Sequence, residues 1–414
     1  MYILGSFYIN LRTSAILLLV GLMMIFNRAM AQSEGKTSVN KEEEKWYDRI
    51  NLRGYAQLRY NRLLETNPLL KNEQGDKSWG DGGGLFIRRV RLVFSGQISE
   101  RVFFYFQPDF ASSIGTDNLH FGQIRDAYFD LGLDDDNEFR FRIGQSKIPF
   151  GFENMQSSSN RLPLDRADGT NSAFVNERDL GVFFYWAPKR IRERLAMLVD
   201  QGLKGSGDYG VFGLGFFNGQ GANKPELNKN KHVVTRISFP LAVGDQFIEP
   251  GIQAYTGRYQ LFDAQLSEGV KTTFDKTYID ERIAASVVLY PKPFGVQAEY
   301  NVGRGPAFDK ETDSVRSEKL QGGYVTFSYR KQLANEQIFI PFARLHYYDG
   351  GKKHELDARR YEVKELELGL EWQPVKQFEL VCQYTLSSRR FEDFQLQDNL
   401  QRGNLLRIQA QINF

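Results

Sequence analysis

This chain carries a single cysteine, Cys382, in 414 residues. An intramolecular disulfide is therefore excluded, as is a metal site built from several cysteines. Histidine is nearly as scarce, with four in all: His120, His232, His346 and His354. An excess of one charge sign is missing too. Lys plus Arg number 53 and Asp plus Glu 51, a net charge of +2, too small a basic excess for a general nucleic-acid binder. Beyond residue 26 no apolar run approaches the roughly 20 residues a helix needs to cross a bilayer. If this chain spans a membrane, it must do so as a closed barrel.

What is present begins with a delivery signal. Residues 1–31 read as a secretory signal peptide, with Arg12 first, then the apolar run AILLLVGLMMIF (15–26), then Ala29-Met30-Ala31. Its removal takes Arg12 and Arg28 away and leaves 51 basic residues against 51 acidic ones. Four of the six Met go with it. Residues 32–49, containing SEGKTSVNKEEEK, read as a flexible periplasmic tether, and residues 50–414 as one β-barrel domain. Aromatics at 14%, with 33 Phe and 20 Tyr, suit the interfacial girdles of such a barrel.

The last ten residues, LLRIQAQINF, show the pattern most plainly. Leu406, Ile408, Ala410, Ile412 and Phe414 share one face, and Leu405, Arg407, Gln409, Gln411 and Asn413 the other. A soluble sandwich strand alternates in the same way, so repetition decides. Strand-like segments recur between long connections (62–83, 112–121, 148–178, 218–230, 259–278, 304–319, 349–359, 389–402) and short ones (99–100, 133–137, 241–245, 291–293, 332–336, 374–375). Such alternation marks a transmembrane antiparallel β-barrel with long outer loops and short periplasmic turns. RLAMLVD (194–200) also reads as extended, which makes about seventeen strands, an odd number. Bacterial barrels of this kind are even, so 188–208 is assigned to one long periplasmic connection. Sixteen strands remain, with eighteen as the alternative.

Parity places charges in the lumen. Arg53 and Arg59, Arg89 and Arg91, Arg140 and Arg142, and Arg407 face inward from their strands. Arg88 falls on the outer face, which requires a strand end, a bulge or a subunit contact. Glu365, Glu367, Glu371 and Glu379 face inward from the late strands, giving a basic wall opposite an acidic one. Guanidinium matches phosphate oxygens in a bidentate fork. The alternative is that these arginines pair with lumen carboxylates.

LFIRRVRLVFSGQI (85–98), IRDAYFDLGL (124–133), FRIGQSKIPFGFE (141–153), ERDLGVFF (177–184) and GFFNG (215–219) resemble, in order and spacing, the phosphate-selective porin O/P family. The resemblance implies a passive, water-filled, homotrimeric pore in the outer membrane of a Gram-negative bacterium. It implies arginines that draw in small anions such as phosphate or polyphosphate, and a loop after the fifth strand, about 148–178, that folds in as a constriction. Arg88 and Arg89 would supply such arginines, Asp126 would face the constriction, and Lys147 would line its mouth. No cofactor or metal is implied. Its partners are outer-membrane lipid and the barrel assembly machinery, with Phe414 as the assembly signal. This loop departs from the family by carrying Asp165, Asp168, Glu177 and Asp179 against Arg161, Arg166 and Arg178, without a lysine cluster. A general diffusion porin for small solutes is therefore the alternative.

Other classes fit less well. A hydrolase needs a nucleophile beside a histidine base, yet only His346 has lumen parity and no serine is paired with it, so an enzyme is not expected. An adhesive surface barrel would not need inward arginines. A plugged, gated transporter needs about 22 strands, more than this length provides.

Overall fold

The computed structural model describes residues 45–63, 84–112 and 120–414. Residues 49–414 form one compact unit. The expected signal peptide lies outside the described residues, as does the tether up to residue 44. A short 3-10 turn, Trp46–Arg49, precedes the barrel.

The strands are β1 (Asn51–Leu63), β2 (Gly84–Ser99), β3 (Val102–Ser112), β4 (His120–Gly132), β5 (Phe139–Lys147), β6 (Arg178–Trp186), β7 (Phe212–Phe217) and β8 (His232–Ser238, continued by Leu241–Val243). Then come β9 (Gln246–Gln260), β10 (Thr277–Leu289), β11 (Phe294–Asp309) and β12 (Ser314–Tyr329, continued by Lys331–Gln332). The last are β13 (Ile338–Gly351), β14 (Arg360–Val375), β15 (Phe378–Glu392) and β16 (Asn399–Asn413). Both halves of β8 pair with β9, and both halves of β12 pair with β13, so each is one strand with a break. In β8 the break falls at Pro240, which has no N–H to give to a ladder. Neighbours pair antiparallel throughout, and β16 returns to β1 with Tyr55 opposite Asn413. Sixteen strands therefore close on themselves, as expected, and no edge is left to be covered.

Burial follows the period-two expectation. Leu52, Leu58, Phe139, Leu368, Ile408 and Ile412 are exposed outside, while Gln57, Arg59, Arg140, Arg142, Glu367, Arg407 and Gln409 are buried inside. At the end that carries the short turns, Phe139 lies 6.2 Å from Trp186 and Phe339 6.1 Å from Trp372 in stacked pairs. Aromatic bands of this kind mark a membrane interface.

Three expectations need correction. Residues 304–319 are not a long loop, because β11 and β12 stay paired up to Asp309 opposite Ser314. Residues 194–200 are not extended. They belong to a helix, Lys189–Asp200, whose buried Ile191, Leu195 and Leu198 recur at four- and three-residue spacing. Leu, Ala and Met favour helix, and a window centred on the apolar run misses that spacing. Lastly, the face pattern of residues 85–98 changes at Arg88, where the bulge named among its three expected causes is present. Gln57 pairs with Arg89 but Leu58 with Ile87, so Arg88 is the extra residue of a bulge. Beyond it the faces exchange, and Leu85 and Ile87, rather than Phe86, are the exposed positions.

The seam between first and last strands depends on the final residue. Phe414 N–H donates to Gly54 O at 2.9 Å, and Gly54 N–H donates to Phe414 O at 2.6 Å. A Cβ on Gly54 would lie 2.7 Å from the Phe414 ring, so only glycine leaves room there. Deleting Phe414 removes both bonds, a loss of about 1–3 kcal/mol. The heat-modifiable folded fraction in the outer membrane should fall. Wild-type assembly of the shortened chain would refute a role for this residue.

Candidate functional site

The loop between β5 and β6, residues 148–177, packs against inward-facing side chains of the barrel wall. One flank is apolar. Ile148, Phe150, Ala173 and Phe174 pack on the inward side chains Phe183, Tyr185, Phe217, Val234, Tyr255 and Ala284 of β6 to β10. Phe150 meets Tyr255 edge-on at 4.9 Å. Gly215 opens the wall for this packing, since a Cβ there would sit 2.2 Å from the Phe183 ring. The loop contains two short helices, α1 (Phe152–Met155) and α2 (Asp168–Asn171). At the start of α1, Glu299 of β11 accepts the Phe152 N–H at 2.5 Å.

The other flank is ionic, and acidic residues of the loop carry it. Glu153 bonds Arg344 at 2.7 Å, and Arg344 also reaches Glu367 at 2.5 Å. Asp165 accepts from Arg59 at 3.1 Å and from Arg407, with Arg88 3.9 Å away. Asp168 pairs with Lys352 at 2.7 Å and Arg389 at 3.0 Å. Glu177 is shared by Arg125 (2.8 Å), Arg166 (2.7 Å) and Arg178 (2.8 Å). Asp179, in β6, accepts the Gly219 and Gly221 N–H groups at 2.7 and 3.0 Å and holds the next outer loop. The carboxylates that depart from a cationic trap are thus the bolts that tie the loop to the wall.

Of the expected arginines, Arg59 and Arg407 belong to this clamp. Arg91 pairs with Asp109 at 2.9 Å and donates to Tyr55 and Ser158, and Arg89 is buried beside it in the lumen. Asp126 holds Arg178 through both carboxylate oxygens, at 3.0 and 3.1 Å. Arg125 was missed. Gln107 pairs with Asp126 and Pro108 with Ile124, so Arg125 is the extra residue of a second bulge and also turns inward. Pro108, which cannot donate to the ladder, was the available signal.

The remaining expected residues meet around one cavity of 470 Å³ in the half of the barrel nearer the short turns. Arg53, Arg101, Arg140, Arg142, Lys147, Arg178 and Arg192 line it against Asp126, Asp130 and Asp208, an excess of four positive groups. Arg142 grips Asp130 in a fork at 2.7 and 2.8 Å and lies 4.1 Å over the Tyr128 ring. Lys147 donates to the carbonyls of Met155 and Gln156 at 2.6 and 2.7 Å, tying β5 to the end of α1. Burial alone would raise the Asp208 carboxyl. Arg140 and Arg192, at 2.7 and 2.9 Å, outweigh it and hold Asp208 down at about 2. That lies below the ~3.9 of an unfolded Asp, so its stabilisation is full at neutral pH, declines as the pH falls below the unfolded value and is lost once it has fallen through about 2.

Two other features carry no transport chemistry. His346, Glu365 and Glu367 could bring ligand atoms within 4.8 Å of one another. Arg389 and Arg344 already occupy the two carboxylates, which makes this cluster part of the clamp. A larger hollow of 850 Å³ is bordered by the outward side chains Val287, Tyr300, Leu345 and Leu386, a furrow on the lipid side of the sheet.

A closed barrel with apolar outer positions, a charged lumen and an infolded loop defines a porin-type channel. The profile of phosphate-selective porin O and P matches residues 70–414, and the chain belongs to that family. It is an outer-membrane porin of a Gram-negative bacterium. Its fold is similar to the outer membrane channel DcaP of Acinetobacter baumannii, with 16% identity over 88% of this chain and 97% of that one and a TM-score of 0.57. It is also similar to OmpF of Salmonella typhi, with 12% identity over the same shares and a TM-score of 0.54. The anion-selective porin from Comamonas acidovorans follows with 9% identity over 88% and 99% and a TM-score of 0.50. No curated protein matches the chain.

The clamp gives a direct expectation. Asp165→Asn removes the carboxylate that Arg59 and Arg407 share, so the lumen gains net positive charge and the loop loses a tie. Single-channel recordings should show a reversal potential shifted toward anions together with noisier open current. Unaltered values of both would mean that Asp165 is remote from the solute path.

Proposed function

We propose that this porin passes small anions in preference to cations, phosphate among them, through the basic cavity. The observation that carries this reading is the excess of four positive groups around 470 Å³. In a narrow lumen each unit charge is worth more than in bulk water, about 4 kcal/mol against 1 kcal/mol at 4 Å. The mature chain is formally neutral, so the selectivity is local. Arg53 is exposed and lines this space, where an entering phosphate could meet it and then Arg101.

The same geometry argues against a tight phosphate trap. Arg59, Arg91 and Arg407 already hold carboxylates, so the upper lumen does not offer a stack of uncommitted guanidiniums. Sites of moderate strength suit conduction, because an ion must also leave. Transport therefore needs no catalytic group, and the reading assigns none. The pairing of these arginines also favours a second reading, a general diffusion porin with near-unit selectivity. Assembly as a homotrimer, inserted by the barrel assembly machinery, rests on the family resemblance alone.

The discriminating measurement is the reversal potential in a salt gradient. Wild type should reverse on the anion side, and Arg53→Glu should move it toward cations without loss of folded protein. A wild-type channel that does not discriminate selects the second reading. If wild type is anion-selective and Arg53→Glu leaves the potential in place, the basic cavity is not the conduction path. Titrating chloride current with phosphate then separates binding from mere passage, since only a site produces saturable block.

A further inference from the structure

The other short-turn connections are a few residues long, whereas β6 and β7 are joined by residues 187–211. This segment opens with α3, the helix Lys189–Asp200 noted above, which packs Ile191 and Leu195 against Ala187 and Val211 at the rim. Its far end leaves the rim. Leu198 and Leu203 enter an apolar cluster with Phe152 of the infolded loop and Tyr290. The chain then crosses the lumen. Lys204 Nζ pairs with Glu371 of β14 at 2.6 Å, and four residues later Asp208 pairs with Arg140 of β5 at 2.7 Å. In a ring of sixteen strands, β5 and β14 are seven apart one way and nine the other, which places them on opposite walls.

The crossing is tied from above as well. Gln156 Nε2 donates to Lys204 O at 2.5 Å, and Asn160 Nδ2 donates to Gly205 O at 2.7 Å. Residues 206–209 then form one side of the basic cavity. A flexible turn would not hold a buried ion pair at each end and two backbone carbonyls in between. Losing one partner of a buried pair leaves an uncompensated charge, so the segment stays where it is.

We propose that residues 201–209 are a fixed bar across the periplasmic exit, and that this bar sets the size limit of the permeating solute. The infolded outer loop narrows the path from one side, and the bar narrows it from the other. Both meet at Gln156 and Asn160. The inference rests on the cavity being the solute path, but not on its preference for anions.

Two variants of the full-length protein in planar bilayers test it. Replacing residues 189–207 with a short glycine-serine turn should raise single-channel conductance at least twofold and admit larger neutral polyethylene glycols. Unchanged conductance and exclusion size would overturn the proposal. If that variant fails to assemble, Ser206→Cys in a Cys382→Ser background decides. Ser206 lines the cavity, and its hydroxyl has no partner among the described residues. A neutral methanethiosulfonate reagent added from the periplasmic side should cut the current at least in half, and full modification without loss of current would overturn the idea. Because reagent and polymers are uncharged, these outcomes stand whether or not the pore prefers anions.

Discussion

Most of the charges buried in this barrel find an opposite charge there, and much of the lumen's geometry follows from that pairing. Burying a carboxylate or guanidinium without a partner costs several kcal/mol. The infolded loop serves the pairing by supplying carboxylates to arginines that sit on distant strands. Arg59 on β1, Arg407 on β16 and Arg344 on β13 all end on residues of one loop. The loop is thereby stretched between an ionic wall and the apolar wall of β6 to β10. Neither wall alone would hold a 30-residue excursion in place.

Two bulges extend this logic. Each inserts one residue into a strand and so turns two consecutive charged side chains to the same side, Arg88 with Arg89 and Arg125 with Asp126. A regular strand can offer the lumen only every second position. The bulges raise the density of charge where the loop docks, and they let one short stretch serve both the clamp and the cavity. Arg178 shows the connection: it bonds Glu177 of the loop and Asp126 of the cavity wall.

The result is a lumen divided in function. Its upper part is neutralised by ion pairs, and its lower part gathers seven basic groups against three acidic ones around one cavity, with Arg53 exposed among them. Selectivity in such a pore comes from the charges that structure has left uncommitted rather than from the total number of arginines. The periplasmic segment with its helix closes the lower part, so the path is bounded by two chain segments that also brace one another.

The infolding of residues 148–178 was implied by the family resemblance alone, whereas the barrel, its strand number and most of its strand faces were legible in the residues themselves. These depend on period-two alternation and on even parity, both of which are local or additive along the chain. The inward placement of Arg53, Arg59, Arg89, Arg91, Arg140, Arg142 and Arg407 was legible for the same reason. What only the tertiary structure decided is which of these arginines remain available. That depends on Asp165 crossing the lumen to Arg59 and Arg407 and on Asp208 reaching Arg140, and no spacing rule carries such a pairing. The second bulge and the inward path of residues 201–209 were hidden likewise, since each is settled by a partner strand or an opposite wall.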